Sequence, residues 1–93
     1  MIKVTDVARD KLKEALNDYP GKYLRIVIEG YGWGTPRLGL ALDEPNGDEK
    51  PTQVNGLDFL IGDEVKMFAD RSSLDYMSSP YEGFIIRPGY SSC

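Results

Sequence analysis

At Pro20-Gly21 the hydrophobic rhythm of this chain changes, and that change limits its possible folds more than any other feature. Before it, Val7, Ala8, Leu12, Ala15, Leu16 and Tyr19 recur every three to four residues, with Arg9, Asp10, Lys13, Glu14 and Asn17 between them. That is the spacing of an amphipathic helix. After it the period is two, with Leu24, Ile26 and Ile28 alternating against Tyr23, Arg25, Val27 and Glu29, as in a half-buried strand. Thr5 is placed to cap the helix and Asp6 faces the positive end of its dipole. Proline lacks the amide that the next turn needs and glycine takes backbone angles other residues avoid, so the helix is expected over residues 5–19.

The remaining elements follow from similar signals. Leu38, Leu40 and Leu42 alternate with Gly39 and Ala41, giving a second strand after the glycine-rich segment Gly30-Tyr31-Gly32-Trp33-Gly34-Thr35-Pro36, which reads as an unusual loop. Residues 43–51 are polar and turn-rich and read as a solvated loop. Asn55-Gly56 is a strong two-residue turn signal between Thr52-Gln53-Val54 and residues 57–61, hence a second hairpin. Residues 63–69 begin with two acids and continue into an apolar cluster, which suits a short helix. Strands are expected over 73–77 and 83–87, with residues 88–93 as a tail. One long N-terminal helix, one short helix and strands that are antiparallel neighbours at most joints point to an α+β domain rich in strand.

Length and composition bound the function. Ninety-three residues are one domain's worth of chain, 1–93, and 41% hydrophobic with 28% charged residues is an ordinary globular composition. A net charge of −4 leaves no cationic excess to neutralise phosphates, so no nucleic acid is expected as a partner. No apolar run approaches the roughly 20 residues of a bilayer span and the N-terminus lacks a signal-peptide core, so no membrane association and a cytoplasmic location are expected. The chain has no histidine and one cysteine, Cys93, which excludes an internal disulfide and a self-contained zinc site. The acids Asp58, Asp63, Glu64, Asp70 and Asp75 have no nucleophile or histidine beside them, and no enzymatic activity is expected.

The order of these segments resembles the HesB/IscA-like family, the A-type proteins of iron–sulfur cluster biogenesis. The resemblance runs through Val4-Thr5-Asp6-Val7-Ala8, Leu24-Arg25-Ile26-Val27-Ile28, Leu38 to Pro45, Asn55 to Ile61, Leu74-Asp75-Tyr76 and Gly83-Phe84-Ile85-Ile86. It implies the HesB-like fold, a strand-rich α+β sandwich of short mixed sheets with the long helix against one side, a homodimer of such domains, and exchange of iron or an iron–sulfur cluster with assembly or recipient proteins. The family's chemistry lies in cysteines, one in the glycine loop and a terminal Cys-x-Cys, because soft thiolates stabilise iron–sulfur clusters. Counted back from Asp43-Glu44-Pro45, the loop cysteine's place falls at Gly32, and a tyrosine carried by many members falls at Arg37. The cysteine motif is thus degenerate. Cys93 alone matches a ligand position, the first of the terminal pair, and a second sulfur or selenium ligand just beyond it is expected if the natural product continues.

Two candidate sites follow. The resemblance makes Cys93 the metal- and cofactor-binding residue, against the plain reading of an exposed terminal thiol. Tyr31, Gly32, Trp33 and Arg37 form a possible interaction loop, since aromatic and arginine side chains dominate binding hot spots. The plain alternative there is a hairpin connection in which the glycines supply positive φ and Trp33 packs on the sheet. Asp43, Glu44, Asp48 and Glu49 lack the ligand spacing of a calcium loop and read as solvated.

Overall fold

The computed structural model of the chain describes residues 1–32 and 35–88. Thr5 opens the first helix as its composition predicts: with extended backbone angles, its side chain accepts a hydrogen bond from the Ala8 amide. Helix α1 runs over Asp6–Leu16, shorter than the expected 5–19. After Leu16 the amides of Asn17, Asp18 and Tyr19 reach back only three residues, to Glu14, Ala15 and Leu16, so the chain tightens into turns before Pro20. Only part of the apolar stripe is buried. Ala8 and Leu12 face inward, whereas Val7 is exposed, as is Tyr19 beyond the helix end; a narrow i, i+4 row covers the contact of α1 with the rest of the fold.

Among the described residues the strands are β1 (Lys3–Val4), β2 (Tyr23–Gly32), β3 (Thr35–Asp43), β4 (Thr52–Val54), β5 (Leu57–Leu60), β6 (Ser72–Met77) and β7 (Gly83–Pro88), with α2 (Asp63–Ala69) between β5 and β6. They form two mixed sheets in the orders β1-β6-β7 and β3-β2-β5-β4. In each sheet one neighbouring pair is parallel, β1 with β6 and β2 with β5. Helix α1 packs on β6, and α2 on β2 and β6. The core between them contains Ile2, Leu24, Ile26, Phe59, Val65 and Leu74. The α+β architecture of short mixed sheets therefore stands, with a first helix of modest length.

Two local outcomes matter for the site. Asn55 and Gly56 take φ of 50° and 81°, the double left-handed turn whose twist matches a two-residue hairpin, and Val54 pairs with Leu57 across it. The expected Gly30–Pro36 loop is instead mostly strand. Gly30 pairs with Arg37, Tyr31 with Pro36 and Gly32 with Thr35. A register shift between Ile28 and Gly30 accommodates this, one extra residue in β2 re-aiming the ribbon beyond it. β1 was not foreseen, since two residues are too few to show a period.

Candidate functional site

The β2–β3 ribbon carries a charged arrangement at each end. At the end where Tyr23 meets Asp43, Arg25 is gripped by two acids. Its Nε donates to Asp43 Oδ2 at 2.6 Å, and its two terminal nitrogens donate to the Glu49 carboxylate at 2.9 and 2.7 Å. The Arg25 side chain is 15% exposed and that of Glu49 18%. The loop that reads as solvated is thus folded back onto the sheet by Glu49, and Asn46 N–H also donates to that carboxylate. Glu49 is held below the usual carboxylate range by Arg25 first and the Asn46 amide second. Asp43 is lowered by the Glu44 amide and by Arg25, while Arg25 is raised by both acids. These carboxylates are committed to a guanidinium, a structural clasp. Among the described residues no group of three or more His, Cys, Asp or Glu converges to hold a metal ion.

A pH dependence follows with a definite sign. Acids with depressed folded pKa values contribute stability that is complete above their unfolded values, near pH 4, and that is lost as pH falls through the folded values. Arg25→Met is expected to lower the Tm by roughly 4–8 °C at neutral pH. The gap between wild type and variant should close progressively below about pH 4, as Glu49 and Asp43 protonate in the wild type. Thermal melts of both proteins from neutral to acid pH check this, and a gap that is constant with pH would contradict it.

At the other end lie Tyr31, Gly32 and Arg37. Tyr31 is 75% exposed, and Arg37, on the neighbouring strand, is exposed with its Nε 4.0 Å from Glu29 Oε1. The structure thus brings together three of the four residues of the predicted interaction loop. Trp33 and Cys93 lie outside the described residues. Sequence reasoning did not single out Glu29, whose side chain lies across the backbone of Gly39 so closely that a Cβ there would collide with it. Glu29, Arg37 and Gly39 line an open groove of about 560 Å³ between β3 and β7, walled by Leu38, Leu40 and Phe84. A glycine inside a run of leucines was the available signal, since strand-interior glycine marks the close approach of another group.

No family model matches the chain. The uncharacterized protein YqkB of Bacillus subtilis (strain 168) is 36% identical over 81 residues, spanning 81% of this chain and 75% of that protein. Among solved structures, IscA with a [2Fe-2S] cluster superposes with a TM-score of 0.71 at 24% identity, covering 99% of this chain and 86% of that one. Escherichia coli SufA, involved in biosynthesis of iron–sulfur clusters, gives 0.77 at 17% identity, covering 98% and 82%. An Aquifex aeolicus protein solved by NMR gives 0.65 at 23%, covering 92% and 89%. The fold is that of IscA and SufA. Among the described residues no helix is long and apolar enough to cross a membrane.

Proposed function

This chain belongs to the same family as YqkB of Bacillus subtilis, and from that membership and its IscA-like fold we propose that it handles iron or an iron–sulfur cluster as a transient cargo. The observation that carries the reading is the match over nearly the whole chain to a protein seen with a [2Fe-2S] cluster. The described residues do not by themselves make a ligand set. Cys93 is the one cysteine in the sequence, so a homodimer supplies two thiolates. The remaining ligands come from exogenous thiols such as glutathione or from a recipient protein.

Incomplete coordination suits a carrier rather than a store. Thiolate exchange is fast where the donor is accessible and the metal weakly held, so release to a protein offering a full cysteine set is downhill. In this reading the protein works in the cytoplasm as a non-enzymatic member of the assembly machinery, a degenerate A-type protein. Anaerobic reconstitution with iron and sulfide tests it. Wild type is expected to develop visible sulfur-to-iron absorbance, and Cys93→Ser to lose essentially all of it. Equal spectra for the two would refute a role for Cys93.

A second reading draws on the exposure of Tyr31 and Arg37 side by side at one ribbon end. There the protein is a metal-free interaction module, and Tyr31→Ala with Arg37→Ala removes partner binding while leaving the Tm unchanged.

A further inference from the structure

The dipeptide Asn-Gly occurs twice in this chain, at Asn46-Gly47 and at Asn55-Gly56. It is a reactive pair as well as a turn signal. Glycine has no Cβ to shield its amide nitrogen, so that nitrogen can reach the carboxamide carbon of the asparagine before it. The two copies sit in different surroundings, and the difference falls on the groups that react.

Asn55 is held. Its Nδ2 donates to the Val4 carbonyl at 2.9 Å and to Asp6 Oδ1 at 3.1 Å, and its Oδ1 accepts from Arg9 at 3.1 Å. Turning the carboxamide onto the Gly56 nitrogen breaks all three bonds together, two of them to charged partners. The backbone is fixed as well, at a φ of 50° in a turn closed by the pairing of Val54 with Leu57.

Asn46 is exposed in the loop between β3 and β4, and only its main chain is engaged. Its N–H donates to Glu49 Oε1 at 3.0 Å, and its carbonyl accepts from the Glu49 amide at 2.9 Å. Among the described residues neither its carboxamide nor the Gly47 amide has a hydrogen-bond partner. Gly47 has a φ of 52° and open space where a Cβ would stand, which admits water.

We propose that Asn46 is a site of spontaneous isoaspartate formation that opens the Arg25 clasp, whereas Asn55 is kept inert by its three bonds. The Gly47 nitrogen bonds to Asn46 Cγ, the Cγ–Nδ2 bond breaks, and the amide group leaves as ammonia with the proton from Gly47. Water then opens the five-membered imide. Attack at Cγ restores the main chain with an aspartate. Attack at the main-chain carbonyl carbon sends the chain through Cγ, one methylene longer, and leaves a free α-carboxylate; no oxidant or reductant takes part. That carboxylate replaces the carbonyl that accepts from the Glu49 amide, beside the side chain that grips Arg25. The turn bond is lost and like charges are brought together, so Glu49 is drawn off Arg25. The inference goes beyond the iron chemistry assigned to Cys93 and is independent of it.

The test incubates the folded full chain, warm and at mildly alkaline pH, then digests it and sequences the peptides by mass spectrometry. Position 46 is expected to gain the mass difference between an amide and an acid and to split into aspartyl and isoaspartyl forms. Position 55 should react at least about tenfold more slowly. In guanidinium, where the fold is gone, the two positions should react at similar rates. The isoaspartyl protein, isolated by chromatography, should melt roughly 4–8 °C below Asn46→Asp, which carries the same added charge on an unaltered main chain. No reaction at position 46, equal rates at the two positions in the folded protein, or a difference that survives in guanidinium would overturn the proposal. So would an isoaspartyl form that melts together with Asn46→Asp, since the clasp would then be untouched.

Discussion

Phe59→Ala is expected to destabilise the protein by about 3–5 kcal/mol, the range for removing a fully buried aromatic ring and leaving a cavity. Phe59 is 0% exposed and sits on β5, paired with Leu24 of β2 on one side and Thr52 of β4 on the other. The ring therefore stands in the middle of the four-stranded sheet, where the surroundings are tied from both sides and collapse poorly onto a void. Against a total stability of about 5–15 kcal/mol for a domain of this kind, the loss takes a large share. Phe59→Leu, which retains much of the volume, should cost under about 1.5 kcal/mol. Denaturant midpoints at unchanged m-value measure both. Similar midpoints for the alanine and leucine variants would show that the site relaxes around the void.

Asn55→Gly should cost about 1.5–3 kcal/mol although the turn itself is preserved, because glycine adopts the same positive φ. What is lost is the amide. Asn55 donates to the Val4 carbonyl at 2.9 Å and to Asp6 at 3.1 Å, and accepts from Arg9 at 3.1 Å. The hairpin tip of one sheet thereby fastens the strand and helix start that belong to the other. Hydrogen exchange at the Thr5 amide, which donates to Leu74 at 3.1 Å, is the specific readout and should accelerate along with the fall in stability. An unchanged Thr5 exchange rate would mean that the fastening does not reach β1.

The same residue shows what was legible in advance. Asn55-Gly56 announces a hairpin because its φ requirement is local, as do the Thr5 cap and the alternation around Ile26. Which strands lie side by side is a different question. Alternation tells which face of Leu24 or Phe59 is buried, but it carries no information that β2 and β5 run parallel. The glycine-rich tip misled because Gly30 and Gly32 weaken strand propensity, whereas pairing with Arg37 and Thr35 overrides it. At the site, Tyr31 and Arg37 could be named beforehand from their type. Glu29 and the β7 wall could not, since the groove exists only where the margins of two sheets meet. The Glu49 clasp was hidden for a related reason: nothing local distinguishes an acid that is solvated from one that a distant arginine draws in.

The parallel pairing of Lys3 and Val4 with Ser73 and Leu74 also sets an order of events during synthesis. A nascent chain leaves the ribosome at roughly 5–20 residues per second, first residues first, so β1 is exposed long before β6 exists. Helix α1 waits as well, because β6 is the strand on which it packs. The hairpin of β2 and β3 closes early from nearby residues, while the opening segment remains undocked until most of the chain has been made. Birth order and assembly order are therefore opposed at the two ends of this small protein, and the interval between them is when chaperones and proteases have access to it.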